Sequence, residues 1–180
     1  TVGGTGKTPM VIWLVEQLQR RGFTPGVVTR GYRGRASRAG SLVPTDGNAA
    51  LYGDEAVLMR RRLQCLVAVA ADRPKAVSML IDEGCDIVVS DDGLQHYAME
   101  RDIEIAVVDG ARGLGNGRLM PAGPLREPRS RLEVVDWVVS NGCQTGLRAD
   151  EIIMQAKALD FVNLATGLAL SAEDFLSKNK

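Results

Sequence analysis

The sequence predicts an α/β fold, a mostly parallel sheet with helices on both faces. Amphipathic stretches alternate with short, nearly continuous runs of β-branched residues, which is how strands buried on both faces read. The 180 residues suit one domain by size, and 45% hydrophobic with 24% charged residues is ordinary globular composition, which argues against disorder and coiled coil. The longest unbroken apolar run is the seven residues 65–71, far short of the roughly 18 to 20 that a spanning helix requires.

Residues 8–21 place Val11, Leu14, Val15 and Leu18 on one helical stripe, with Gly22 as the C-terminal cap. Residues 26–30 form a short β-branched run, 52–63 a helix, and 65–70 a fully buried strand. Pro74 opens a second unit, a helix to about residue 83 followed by a strand at 86–90. Further apolar strands are expected at 103–109 and 136–140. Beyond residue 141 the pattern weakens: 151–158 and 161–164 read as edge strands and 172–177 as a closing helix. Two Gly-rich stretches, 31–50 and 109–131, fit neither element, and loops of that length are usually functional or disordered. The expected organisation is a core at 1–145, with 146–180 as a linker or the start of a second lobe.

The 22 basic and 22 acidic residues cancel, so overall charge points to neither nucleic acid nor a polyanionic surface. Electrostatic function must therefore be local, and no protein partner is evident. Seventeen of the basic residues are Arg, whose planar fork suits phosphate, and six of these fall between Gln17 and Asp46 with no acid among them. Cys65, Cys85 and Cys143 lack any metal-ligand spacing and read as reduced core thiols of a cytosolic protein.

The chemistry starts at Gly3-Gly4-Thr5-Gly6-Lys7-Thr8, directly ahead of the first helix. Glycines let successive backbone N–H groups turn around phosphate oxygens, Lys7 reaches the β- and γ-phosphates, and the Thr8 hydroxyl can ligate Mg²⁺. Thr1 stands where the strict phosphate-loop pattern has its first Gly. Such a loop needs an acid at the end of a neighbouring strand, and the run at 86–90 ends in Asp91 and Asp92; the sequence leaves open which of the two holds the metal. Turn capping before Gly93 is the competing role for either acid. Together these features define a P-loop NTPase-like expectation with ATP and Mg²⁺ as cofactors.

Several segments in order resemble the tetraacyldisaccharide 4′-kinases of lipid A biosynthesis in Gram-negative bacteria: TVGGTGKTP at 1–9, TRGYRGR at 29–35, GDEA at 53–56, ADRPKA at 71–76, DDGLQHYAMERDIEIAVVD at 91–109 and RGLGNGRLMPAGPLREP at 112–128. The resemblance is clear to about residue 140 and thinner to 180, and Thr1 looks like that family's own variant. It implies transfer of the ATP γ-phosphoryl group to the 4′-hydroxyl of a lipid disaccharide 1-phosphate, by a peripheral enzyme at the cytoplasmic face of the inner membrane. It also implies a strand entering the P-loop and a C-terminal lobe carrying a His, neither of which lies within these residues. The chain as it stands is therefore expected to be catalytically deficient.

By the same resemblance Asp54 is the acid-base residue, Lys7 and Arg126 act on the transferring phosphate, and Arg30, Tyr32, Glu55, Arg73, Gln95 and His96 surround the substrates. Each has a plainer role beside it: Asp54 can cap a helix with Glu55 favouring its dipole, His96 can be structural, and Arg126 can pair with Glu127. Arg30, Arg33, Arg35 and Arg38 can be a solvated loop or can meet the disaccharide phosphate or an anionic membrane surface. A regulatory P-loop ATPase is a rival, since GGTGKT resembles the loop of partitioning ATPases; Val2, where those proteins carry a second Lys, weakens it. An inactive nucleotide-binding remnant is the other alternative.

Overall fold

The computed structural model describes residues 4–32, 34–157, 160–162, 168–172 and 174. Helix α1 (Lys7–Arg20) buries Val11 and Val15 of the stripe read from sequence, together with Ile12, while Leu14 and Leu18 of that stripe are half-buried. Gly22 (φ 86°) closes it, with the Gly22 and Phe23 N–H groups returning to the carbonyls of Gln19 and Leu18. Strand β1 (Pro25–Thr29) is buried throughout, two residues are enough for β2 (Ser41–Leu42), and β3 (Leu66–Val69) follows helices α2 (Ala49–Tyr52) and α3 (Asp54–Leu63). The helix expected at 52–63 is thus α3 from Asp54 onward, with Tyr52 ending the separate α2. The break is Gly53, at φ 87°, where a Cβ would come within 2.8 Å of the Tyr32 carbonyl oxygen. The loop after β1 therefore packs directly on the start of α3.

Helix α4 (Arg73–Asp82) carries Pro74 in its first turn and leads to β4 (Ile87–Ser90). Then come β5 (Ile105–Asp109), α5 (Arg131–Val134), β6 (Trp137–Asn141), β7 (Ile152–Met154), β8 (Asp160–Val162) and β9 (Ala169–Ser171). Residues 163 and 164 of the expected strand at 161–164 lie outside the described residues, as do most of those of the closing helix expected at 172–177, where Ala172 and Asp174 are helical. The stretch 31–50, read as loop, contains a 3-10 turn (Arg35–Arg38), β2 and the start of α2. Strands as short as β2 leave no periodicity to read.

The strands form a sheet ordered β2-β3-β1-β4, a second ordered β5-β6-β7, and the pair β8-β9. All pairings in the first two are parallel except β2 with β3, which is antiparallel, as is β8 with β9. A mixed α/β fold with a mostly parallel sheet and covering helices is thus present. β7, in the stretch expected as linker, pairs with β6 through Val139–Ile152 to Asn141–Met154 and continues the same sheet.

Two core clusters sandwich the first sheet: Val11, Val15, Met59 and Leu63 from α1 and α3 on one face, and Ala76 and Leu80 of α4 with Cys85 and Met99 on the other. Fully burying each aliphatic side chain stabilises by about 1.5 to 3 kcal/mol. Between β4 of the first sheet and β5 of the second lies a cavity of about 720 Å³, walled by Ile87 and Val89, by Ile105 and Val107, and by Leu14 and Leu18 of α1. Among the described residues, β4 pairs only with β1 and β5 only with β6, so both face this cavity with an unpaired edge.

Cys65 and Cys85 are buried free thiols, and burial pushes Cys65 up to about 11, which makes it inert. Cys143 is exposed, against the expectation of a core thiol, because the turn after β6 faces solvent.

Candidate active site

Parallel strands direct their carboxyl ends toward one edge of a sheet, where polar groups can gather without entering the core. Here Asp91 and Asp92 follow directly on β4, and α1 starts beside them. Gly4 (φ 61°) and Gly6 (φ 93°) bend the preceding loop, with Gly6 packed so closely that a Cβ would lie 2.6 Å from Met154 Cε and 2.7 Å from Asn141 Nδ2. Only glycine fits this left-handed, tightly walled turn. Gly3 lies outside the described residues. Thr5 is buried, its Oγ1 without a hydrogen-bond partner among the described residues, and Thr8 sits in the first turn of α1.

Lys7 Nζ lies 3.3 Å from Asp92 Oδ1, and Arg126 Nη1 donates to Asp92 Oδ2 at 2.8 Å. Burial raises the Asp92 pKa, but the Arg126 hydrogen bond and the Lys7 and Arg126 charges outweigh it and hold Asp92 below the ordinary carboxylate range. Asp91 behaves oppositely. It is buried, its Oδ1 has no partner among the described residues, and burial with the nearby Glu55 and Asp92 charges raises it to about 6 against the pull of Lys7 and Arg73. Two adjacent acids, indistinguishable in sequence, thus differ in the fold: cations hold Asp92 ionised, while burial favours the protonated form of Asp91.

Arg73 stands behind this turn. Its guanidinium is buried and donates to Ser90 Oγ (2.8 Å), the Asp91 carbonyl (2.9 Å) and the Asp92 carbonyl (3.4 Å), so it fixes the backbone that carries both acids. Its backbone N–H donates to His96 Nε2 at 3.4 Å, which gives the only histidine a partner at the start of α4. Gln95 bridges the Arg126 guanidinium and Glu127.

Asp54 is the first residue of α3, with Gly53 in the N-cap position, and its Oδ1 accepts the Glu55 N–H at 3.1 Å. It remains exposed. Arg30, Tyr32, Arg35 and Arg38 are exposed on the adjoining loop, while Arg33 lies outside the described residues.

The structure thus gathers Lys7, Asp91, Asp92, Gln95 and Arg126 at one strand end, with Glu55 close enough to act on Asp91. Sequence reading did not find Arg112, whose Nη2 would lie 3.1 Å from a Cβ on Gly4, or Asn141 and Met154 behind Gly6. Arg112 opens the stretch quoted at 112–128 but was given no role, and no motif marks Asn141 or Met154, which reach the loop only through the pairing of β6 and β7.

The class so defined is an α/β protein with a charged site at the carboxyl ends of parallel strands, facing a glycine loop and a helix start. Comparison with known proteins gives the particular family. The tetraacyldisaccharide-1-P 4′-kinase family matches residues 1–177, and the chain belongs to it. A tetraacyldisaccharide 4′-kinase of Tolumonas auensis is 54% identical over 167 residues, covering 92% of this chain and 51% of that protein. The protein of that name from Vibrio vulnificus is 49% identical over 177 residues (98% and 52%), and one from Coxiella burnetii is 51% identical over 168 (91% and 50%). The chain spans about half the length of the curated relatives it matches.

Proposed function

We propose that this chain is the P-loop part of an ATP-dependent kinase that phosphorylates the 4′-hydroxyl of tetraacyldisaccharide 1-phosphate in lipid A biosynthesis. The observation that carries this reading is Lys7, at the start of α1 beside a glycine loop, facing two carboxylates in opposite electrostatic states at the end of β4. An anionic triphosphate fits there: the loop N–H groups and the helix N-terminus favour negative charge, and Lys7 and Arg126 can exchange Asp92 for phosphate oxygens. The names of the relatives support the acceptor.

The residues also fit Mg²⁺. Asp91 Oδ1 is a buried carboxylate oxygen without a hydrogen-bond partner among the described residues, the kind of hard oxygen that Mg²⁺ takes beside phosphates and water. Asp91 and the Thr8 hydroxyl would hold it, directly or through water. When bound it supplies positive charge to the phosphate oxygens.

In this mechanism Arg126 offsets charge on the γ-phosphoryl oxygens, and Asp54 orients the sugar hydroxyl and takes its proton as the bond to phosphorus forms. Arg73 acts from behind, holding Asp91 and Asp92, with His96 bracing the same corner. Arg30, Tyr32, Gln95 and Glu55 line the acceptor side. The arginines of the loop after β1 meet the disaccharide phosphate or anionic lipid headgroups, at the cytoplasmic face of the inner membrane. No helix among the described residues is long and apolar enough to cross a bilayer.

The open edges of β4 and β5 favour a second statement, that residues 1–180 alone transfer phosphate poorly. A strand entering Gly4 from the cavity between β4 and β5 would pair both open edges and brace the loop. To test the main reading, Lys7→Ala in the full-length protein should lower phosphoryl transfer by roughly 10²-fold or more, as removal of a preorganised charge does elsewhere. Turnover close to the parent's would refute it.

A further inference from the structure

Below the Asp92–Arg126 pair runs a ring of charged side chains that the roles above leave unused. Arg101 Nη1 donates to the carbonyls of Gly93 (3.2 Å) and Leu94 (3.0 Å), in the turn that follows Asp92. Its Nε lies 3.0 Å from Glu104 Oε1. Glu104 in turn receives Arg131 Nη2 on both carboxylate oxygens at 2.6 Å, and Arg131 Nε donates to Glu127 Oε2 at 3.0 Å. Glu127 Oε1 accepts from Gln95 Nε2 at 2.6 Å, and Gln95 lies in the turn Arg101 holds, so the ring closes.

The ring joins the two sides of the cavity. Arg101 and Gln95 belong to the segment after β4, Glu104 precedes β5, and Glu127 and Arg131 come from the long segment before β6. Its charges balance, two guanidinium groups against two carboxylates, and all four side chains are largely shielded, between 12% and 21% exposed. Charge-assisted bonds in such shielded, mutually satisfied networks rigidify more than solvated surface pairs do.

The geometry has a directional consequence. With Gln95 Nε2 held by Glu127, the amide oxygen is the atom left to face Arg126, and it accepts from Arg126 Nη1 at 3.1 Å. Asp92 holds the same nitrogen, so among the described residues Arg126 is engaged through Nη1 alone. The rest of the guanidinium is then kept for another anion.

We propose that Arg131, acting through Glu104 and Glu127, is a positioning residue that orients Gln95 and Arg126 for the γ-phosphoryl group of the nucleotide. This rests on the kinase reading above. On the full-length protein with Mg²⁺, ATP and ADP affinities and melting temperature would be measured for the parent, Arg131→Ala and Glu104→Gln. Arg131→Ala should weaken ATP binding about tenfold, the scale of one charge-assisted hydrogen bond, and leave ADP within about twofold. Glu104→Gln, which keeps the side-chain volume and guards against a misfolded Arg131 variant, should narrow the ATP-over-ADP preference in the same direction by a smaller factor. Equal loss of ATP and ADP binding in step with melting temperature would show a merely structural ring and overturn the proposal, as would unchanged preference in both variants. A parent that binds neither nucleotide would overturn the kinase reading and this proposal with it.

Discussion

Strands β1 and β4 are neighbours of similar composition, yet every residue of β1 is buried while every residue of β4 is only half-buried. β1 lies between two strands, whereas β4 has a partner on one side and the cavity on the other. β5, across the cavity, alternates between buried and half-buried residues although it reads as a continuous apolar run. Burial in a parallel sheet is thus a property of a strand's neighbours as much as of its residues. In this molecule the packed half, built on β1 and β3, is set against two cavity walls joined at the top by Lys7, Asp92, Arg126 and the ring beneath them.

The largest effect expected from dividing the molecule this way concerns Asp54, whose helix packs on the complete half. Asp54→Asn in the full-length protein should lower kcat by roughly 10²-fold or more, the usual worth of a positioned proton acceptor, with KM for ATP and melting temperature nearly unchanged. A lower melting temperature with normal kcat would instead assign Asp54 to helix stability.

A smaller effect belongs to the cavity side. Asp91 is raised from its ordinary 3.8 to about 6 in the fold. Between those values the folded state binds the proton more tightly than the unfolded chain, so stability falls as pH rises through the window and the cost is complete above it. Asp91→Asn, measured without metal or nucleotide, should therefore stabilise by roughly 1 to 3 kcal/mol above pH 6 and converge on the parent below about pH 4. Equal melting curves at pH 7.5 would mean that Asp91 is solvated and that the two acids do not differ.

The glycine loop, the helix it opens and the paired acids were legible because each is a contiguous run with a mechanism attached. Most elements were legible from periodicity, within a few residues at their ends. The roles of Asp91 and Asp92 were not, because they are set by Lys7, Arg126 and Glu55, which reach them from distant parts of the chain. The ring was hidden for the same reason: Arg101, Glu104, Glu127 and Arg131 look like scattered surface charges until β5 and β6 pair. Gly53, read as part of a GDE motif, proved to be a helix break because the Tyr32 carbonyl crosses it.

The charged strand end is proposed here as a phosphoryl-transfer site whose geometry depends on filling the cavity between β4 and β5. The measurement is the specific 4′-kinase activity, in mixed micelles with ATP and Mg²⁺, of residues 1–180 and of the full-length protein. No activity is expected from the short chain and clear activity from the long one. Comparable activity from both would contradict it, showing that the open edges of β4 and β5 do not matter to the site.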